Sequence, residues 1–374
     1  MIRSASVREA FLAVPRELFL PEFVAREGLG AVYRDEAIPT KFDAHGFAIS
    51  SSSQPAIMAE MLEQLGLEPG MRVLEIGAGT GYNAALLSAI VGPTGRVTTI
   101  DVDAQVAREA RAALRERGYA AKVVVGDGRD GFPEQLPYDR IIVTASSQTV
   151  TRAWFDQLVE GGLIEVPLRI TSPGVQVIST FRKMPRNFVS VAVVAGGFMP
   201  LRSADVNEST PSRPPCLIAS DATTNGRNPP LRQISGEALA SLSAAAKRRL
   251  LSVALTGGRR RPLGLRANSE SLALYLALTL PAARAVSVFP GWTIGLISRD
   301  GTSLAYVESQ AHVGKRWISS LTAHGGTAAE DALIEAIEDW GASGRPGANN
   351  LELTIDYSID EPRLRRRWRR DGSA

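Results

Sequence analysis

Along this chain the apolar positions change their spacing near residue 70. Before it, Ile57, Met58, Met61, Leu62 and Leu65 recur at helical intervals behind Pro55, with Ser51 to Ser53 as cap candidates and Gly66 as the stop. Residues 1 to 70 thus read as helices and loops, with a short amphipathic stretch at Val7 to Leu12. From residue 71 short apolar runs alternate with helical ones. Strands are predicted at Val73 to Ile76, Val97 to Ile100, Val123 to Val125, Tyr138 to Val143 and Leu163 to Val166, and helices at Tyr82 to Val91, Ala104 to Arg117 and Thr151 to Leu158. That alternation predicts an α/β domain, a parallel sheet with helices on both faces.

Val175 to Arg182 and Phe188 to Val194 read as a strand pair that closes a first domain, residues 1 to 201. Residues 202 to 233 are rich in Pro, Ser, Thr and Asn with little periodicity, the composition of a linker or long loop. Beyond them, helices at Gly236 to Leu251, Ser269 to Leu280 and Thr327 to Trp340, and strands at Thr293 to Ser298, Ser303 to Val307 and Leu351 to Tyr357, predict a C-terminal α+β domain over 234 to 374.

Composition agrees with two folded domains: 374 residues, 44% hydrophobic and 22% charged. The formal charge of +3 is too small to imply a nucleic-acid partner. Basic residues cluster at Lys247 to Arg249, at Arg259 to Arg261 and near the end, as a solvated face or as a binding surface for an acidic peptide. A single cysteine, Cys216, excludes an intrachain disulfide, and His45, His312 and His324 show no metal-ligand spacing, so no metal is expected. Lacking a signal-peptide core and any long apolar run, the chain is expected in the cytoplasm without a membrane span.

Candidate chemistry centres on Glu75-Ile76-Gly77-Ala78-Gly79-Thr80-Gly81, between a strand and a helix, where glycines let a cofactor approach the backbone. Its G-x-G-x-G spacing and preceding acid differ from the dinucleotide G-x-G-x-x-G, and favour a methyltransferase over a nicotinamide enzyme. Asp101 ends the second strand, where it can accept from both ribose hydroxyls or cap the next helix. Gly126-Asp127-Gly128 follows the third strand; Asp127 is expected to take an adenine amino group and Gly128 to let the ring lie on the backbone.

With these motifs the sequence resembles the protein-L-isoaspartate O-methyltransferases over roughly residues 8 to 201. The resemblance extends to Val14-Pro15-Arg16-Glu17-Leu18-Phe19, Tyr33-Arg34-Asp35-Glu36-Ala37-Ile38-Pro39, Ile49 to Pro55 and Tyr138 to Ala145. It implies a Rossmann-like class I fold that uses S-adenosyl-L-methionine and releases S-adenosyl-L-homocysteine. It also places Ser53, of Ser53-Gln54-Pro55, as the hydroxyl that holds the substrate carboxylate, with an N-cap as the rival role, and Ser52, Gln54 and His45 beside it. Ala56 departs from the large side chain that often follows this proline, which bears on specificity. In length the chain looks like extended members that methylate an aspartate of ribosomally synthesised modified peptides, including macrocycles, on the way to aspartimide and isoaspartate. Repair of isoaspartyl proteins is the alternative; a non-catalytic cofactor-binding scaffold is the reading from another class.

Overall fold

The computed structural model describes residues 2–43, 46, 48–171, 175–203, 216–219, 232–263, 269–289, 293–309, 319–358 and 362–369. They fall into two compact units. The first opens with helices α1 (Ala5–Ala13), α2 (Pro21–Glu27) and α3 (Leu29–Val32), then an antiparallel pair, β1 (Ile38–Phe42) and β2 (Ala48–Ser52), then helix α4 (Pro55–Leu65). The alternating region follows as β3 (Arg72–Ile76), α5 (Tyr82–Val91), β4 (Arg96–Asp101), α6 (Ala104–Glu116), β5 (Ala121–Val125), β6 (Tyr138–Val143), α7 (Arg152–Gln157) and β7 (Leu158–Arg169). Strands β8 (Gln176–Lys183) and β9 (Asn187–Ala195) continue antiparallel from β7.

Strands β3 to β7 are parallel, as their continuous apolar runs predict. β3 lies between β4 and β6, so the winding reverses there and a crevice opens at the carboxyl ends of the strands. Val73, Val97, Val123, Ile142 and Leu163 share one core cluster with Val7, Met61, Leu62, Leu65, Leu86 and Ala107 of the covering helices. This is the class I methyltransferase architecture.

The second unit contributes β10 (Cys216–Ala219), β11 (Arg232–Ser235), α8 (Ala244–Leu255), β12 (Arg259–Pro262), α9 (Ser269–Thr279), β13 (Ala285–Phe289), β14 (Thr293–Ile297), β15 (Ser303–Ser309), β16 (Ser319–Gly325) and α10 (Ala328–Ala342). Its seven-stranded sheet runs β10-β11-β13-β14-β15-β16-β12, antiparallel throughout. Side chains alternate between its faces: Leu304 and Tyr306 join the cluster of α8, Ala305 and Val307 that of α9 and α10.

Three expectations are corrected, and the Arg259 to Arg261 cluster is solvent-exposed, as one of its two readings had it. The stretch taken as a linker, 202 to 233, contains β10, whose backbone pairs with β11. The C-terminal boundary also moves, because strands β17 (Leu351–Asp356) and β18 (Arg363–Trp368) extend the first unit's sheet to nine strands. β17 pairs with β9 and so satisfies backbone groups that an edge would leave open. Buried Tyr357 seals the join, its ring stacked on Phe155 at 4.3 Å and its hydroxyl donating to the Val150 carbonyl at 2.6 Å. Arg259 to Arg261 form an exposed edge strand whose guanidinium groups meet Glu330 (2.7 Å) and Glu308 (3.0 Å), so two of the three are ion-paired. Finally, α4 is not capped by Ser51 to Ser53. Ser51 and Ser52 belong to the β2 ladder, and Asp35 accepts from the Ala56 N–H at 2.8 Å and from Gln54 Nε2 at 2.9 Å.

Candidate active site

At the carboxyl ends of β3 and β4 a cavity of about 430 Å³ opens, within the range of small-ligand sites. Its floor is the loop after β3. Gly77 has φ +103°, and a Cβ there would lie 2.4 Å from the Thr144 hydroxyl, which itself donates to the carbonyls of Ile76 and Gly77. Gly79 has φ +51°, and its Cβ would lie 3.2 Å from the Ser51 carbonyl. The loop therefore presents bare backbone to the cavity.

Facing that loop is the strip Ser50 to Gln54. A buried arginine holds it in place. Arg16, only 1% exposed, donates through Nε to Ser52 Oγ and through Nη2 to the carbonyls of Ser52 (3.4 Å), Ser53 (2.9 Å) and Glu36 (3.3 Å). Its Nη1 donates to the Val32 carbonyl at 2.6 Å. Burial lowers the guanidinium pKa, and among the described residues no carboxylate bonds it: it serves as a multidentate donor that fixes the backbone carbonyls around it. The Ser53 hydroxyl makes no hydrogen bond among the described residues.

Two acids line the cavity. Glu75 is wholly buried; its Oε1 accepts from Asn83 Nδ2 at 2.7 Å, while its Oε2 and Asn83 Oδ1 have no hydrogen-bond partner among the described residues. Desolvation pushes its carboxyl up to about 7, against the opposing pull of Thr99 and Asn83. Asp101 accepts from the Gly79 N–H at 3.3 Å and the Asp103 N–H at 3.0 Å. Burial raises its pKa and these two N–H groups oppose the rise. The next helix is capped by Asp103 instead, which accepts from the Gln105 and Val106 N–H groups.

The roof is the segment 197 to 202. It is tied to the chain beyond β6 by Ser146 N–H to the Met199 carbonyl (2.7 Å) and Leu201 N–H to the Ser146 carbonyl (2.8 Å). Gln176 brackets Phe198 through both of its amide atoms.

Of the residues singled out in the sequence, Ser52, Ser53, Gln54, Glu75, Gly77, Gly79, Asp101 and Gly128 all line this one cavity. Gly81 and Asp127 do not. Gly81 begins α5, where a Cβ would come within 3.3 Å of Ala110 and Leu114 on α6, so its smallness serves helix packing. The Asp127 carboxylate turns to Arg129, two residues on, accepting from its N–H and its guanidinium at 2.8–3.2 Å, so the residue expected at the adenine lies outside the cavity lining. His45 lies outside the described residues. Sequence reading missed Arg16, Asn83, Thr144 and Arg202. The first three sit inside recognised segments whose interior residues carry no individual signal, and Arg202 falls one residue past the expected domain end.

Residues 1–205 match the family model described as protein-L-isoaspartate(D-aspartate) O-methyltransferase. The chain belongs to that family. A protein-L-isoaspartate O-methyltransferase of Ignicoccus hospitalis is 38% identical over 201 residues, 54% of this chain and 90% of that protein. One of Thermotoga maritima is 40% identical over 181 residues, 48% of this chain and 56% of that protein, and so has further chain outside the match. A solved structure titled protein-L-isoaspartate O-methyltransferase shares the fold over 97% of this chain and 95% of its own, with a TM-score of 0.54 at 24% identity.

Family membership makes the chain a carboxyl O-methyltransferase that uses S-adenosyl-L-methionine. The cavity suits that group, since its bare glycine backbone and the unpartnered acceptors Glu75 Oε2 and Asn83 Oδ1 answer a ligand rich in hydroxyl and amino donors. Among the described residues no three His, Cys, Asp or Glu side chains stand where they could hold a metal, and no helix is long and apolar enough to cross a membrane.

Proposed function

We propose that the chain esterifies the free carboxylate of an isoaspartyl residue in a peptide or protein, within the cavity between the glycine loop and the Ser50 to Gln54 strip. The observation that carries this reading is their shared cavity: Gly77 and Gly79 of the loop and Ser50 to Gln54 of the strip line it together, so a donor held on one side faces an acceptor held on the other. Bound S-adenosyl-L-methionine supplies a methyl group on an electrophilic sulfonium. Gly77, Gly79 and Gly128 would hold it by backbone approach, Asp101 by accepting from its hydroxyls, and Glu75 and Asn83 through their open acceptors.

The chain's own part is alignment. A carboxylate is already ionised and nucleophilic near neutral pH, so no base is needed. The Ser53 hydroxyl donates to one carboxylate oxygen and leaves the other directed at the methyl group. Arg16 holds Ser53 through its carbonyl. Ile57, Met58, Met61 and Phe198 line the same cavity and exclude water, which raises the nucleophilicity of a desolvated carboxylate.

The expectation of a dedicated peptide substrate rested on the chain's length and its basic second half, whereas the matching family model and the 38%-identical relative are both described as protein-L-isoaspartate O-methyltransferases. Methylation of an aspartate in a ribosomally synthesised, modified peptide, with closure to aspartimide, is therefore the competing arm of the test. Purified chain and cofactor are incubated with an L-isoaspartyl peptide, its aspartyl isomer and a macrocyclic peptide encoded by a neighbouring gene, and methyl ester is measured by mass spectrometry. Ester on the isoaspartyl peptide is expected. Ester on the macrocycle alone would transfer the activity to peptide modification, and ester on none would refute the reading.

A further inference from the structure

Arg202 is the one Lys, Arg or His among the described residues that line the cavity. The roof segment delivers it to the mouth, because the bonds of Met199 and Leu201 to Ser146 anchor the backbone just before it. Its guanidinium stands 4.0 Å from Asp101 Oδ1 and 3.8 Å from Asp103 Oδ2, at the outer limit of ion pairing. None of its five N–H groups makes a hydrogen bond among the described residues. Arg16 offers the contrast: the same side chain, at 1% exposure, is spent on backbone carbonyls.

Asp101 and Asp103 have nearer partners. Asp101 accepts from two N–H groups, and Asp103 takes Lys41 Nζ at 2.9 Å on both oxygens as well as the N–H groups of α6. Arg202 therefore orients toward these carboxylates without saturating them, and its planar fork stays open. A fork of donors with unspent hydrogen-bonding capacity on the wall of a carboxylate-processing cavity is matched to a carboxylate.

We propose that Arg202 is the specificity-determining anchor of the acceptor carboxylate, an inference that rests on the carboxylate-methylating reading above. Arg202 and the Ser53 hydroxyl hold the group from two sides of the cavity. One oxygen is taken by the guanidinium, which stands at the mouth beside Asp101 and Asp103. The arginine selects an anionic acceptor against an amide of the same shape.

The test uses full-length chain with Arg202→Gln and Arg202→Lys, an L-isoaspartyl peptide, the same peptide with that carboxylate amidated, and S-adenosyl-L-homocysteine as the cofactor-site probe. Loss of one charge-assisted contact predicts a rise in peptide KM of about 10- to 100-fold for Arg202→Gln, with kcat changed by less than about threefold. The affinity for S-adenosyl-L-homocysteine should fall by far less than the peptide KM rises, because Arg202 stands 4.0 Å from Asp101 without a hydrogen bond to it. Arg202→Lys should recover part of the loss, and peptide binding to the chain saturated with that probe, followed calorimetrically, should weaken in parallel. The amidated peptide should bind wild type and Arg202→Gln equally weakly. A wild-type KM in Arg202→Gln, or a loss of cofactor-site affinity as large as the loss in peptide KM, overturns the assignment while leaving the methyltransferase reading intact. A wild-type chain that neither binds nor esterifies the carboxylate peptide overturns both.

Discussion

Glu75 ties stability to pH in a calculable way. Its carboxyl is fully buried at the end of β3, with one oxygen satisfied by Asn83 and the other without a hydrogen-bond partner among the described residues. Unfolding would return it from about 7 to its ordinary 4.5. Between these values the unfolded chain has released the proton and the folded chain still holds it, so stability falls as pH rises. The contribution is fully present below about 4.5, is lost as pH passes about 7, and amounts to about 3 kcal/mol. Glu75→Gln keeps the shape and removes the titration. Calorimetric melting of both proteins from pH 5 to pH 8 isolates Glu75 with its electrostatic partner Asp101, because titrating groups not coupled to them, including the buried Glu165 with its raised pKa, cancel in the difference. Any constant cost of placing an amide beside Asn83 cancels as well. About three quarters of the Glu75 contribution falls between pH 5 and pH 8, so the Tm of the variant should gain on wild type by about 5–10 °C across that interval, given about 2–4 °C per kcal/mol for a unit of this size. A Tm difference that does not move with pH would show that Glu75 titrates alike in both states, and the reasoning would fail.

Asp101→Ala should weaken S-adenosyl-L-homocysteine about 10- to 100-fold in a folded protein, read by titration calorimetry; unchanged affinity removes Asp101 from the cofactor site. Ser53→Ala should lower single-turnover methyl transfer well beyond any change in cofactor affinity or Tm, since α4 takes its side-chain cap from Asp35 and loses nothing with the hydroxyl. Tyr357→Ala should cost about 3–5 kcal/mol, and Tyr357→Phe about 1 kcal/mol for the bond to Val150, measured by chemical denaturation. For the same reason a chain ending near Leu201 should be destabilised by an exposed β9 edge, which light scattering would detect as aggregation.

Residues 72 to 169 were legible because they obey local rules. Strands β3, β4, β6 and β7 are buried enough to read as apolar runs, each connection is punctuated by glycine or a turn, and consecutive parallel strands lie side by side except β5 and β6, where the winding reverses. The glycine loop and the acid at the end of β4 followed from the same regularity, so much of the cavity's floor could be named in advance.

What escaped the sequence depends on partners far along the chain. β17 reads locally as any half-buried strand, and its place beside β9, more than 150 residues earlier, follows from an open edge that exists only after folding. Arg259 to Pro262 carry no apolar alternation, and they become a strand because β16 offers them a ladder. Asp35 caps α4 from twenty residues upstream of its first turn, where a reading of adjacent residues looks to the serines. Arg16 and Arg202 show the limit most directly: sequence marks both as cations, but burial spends one on carbonyls and leaves the other's fork open at the cavity mouth. Spacing along the chain determines secondary structure and parallel order; what a charged side chain does is decided by the donors, acceptors and water that tertiary packing leaves around it.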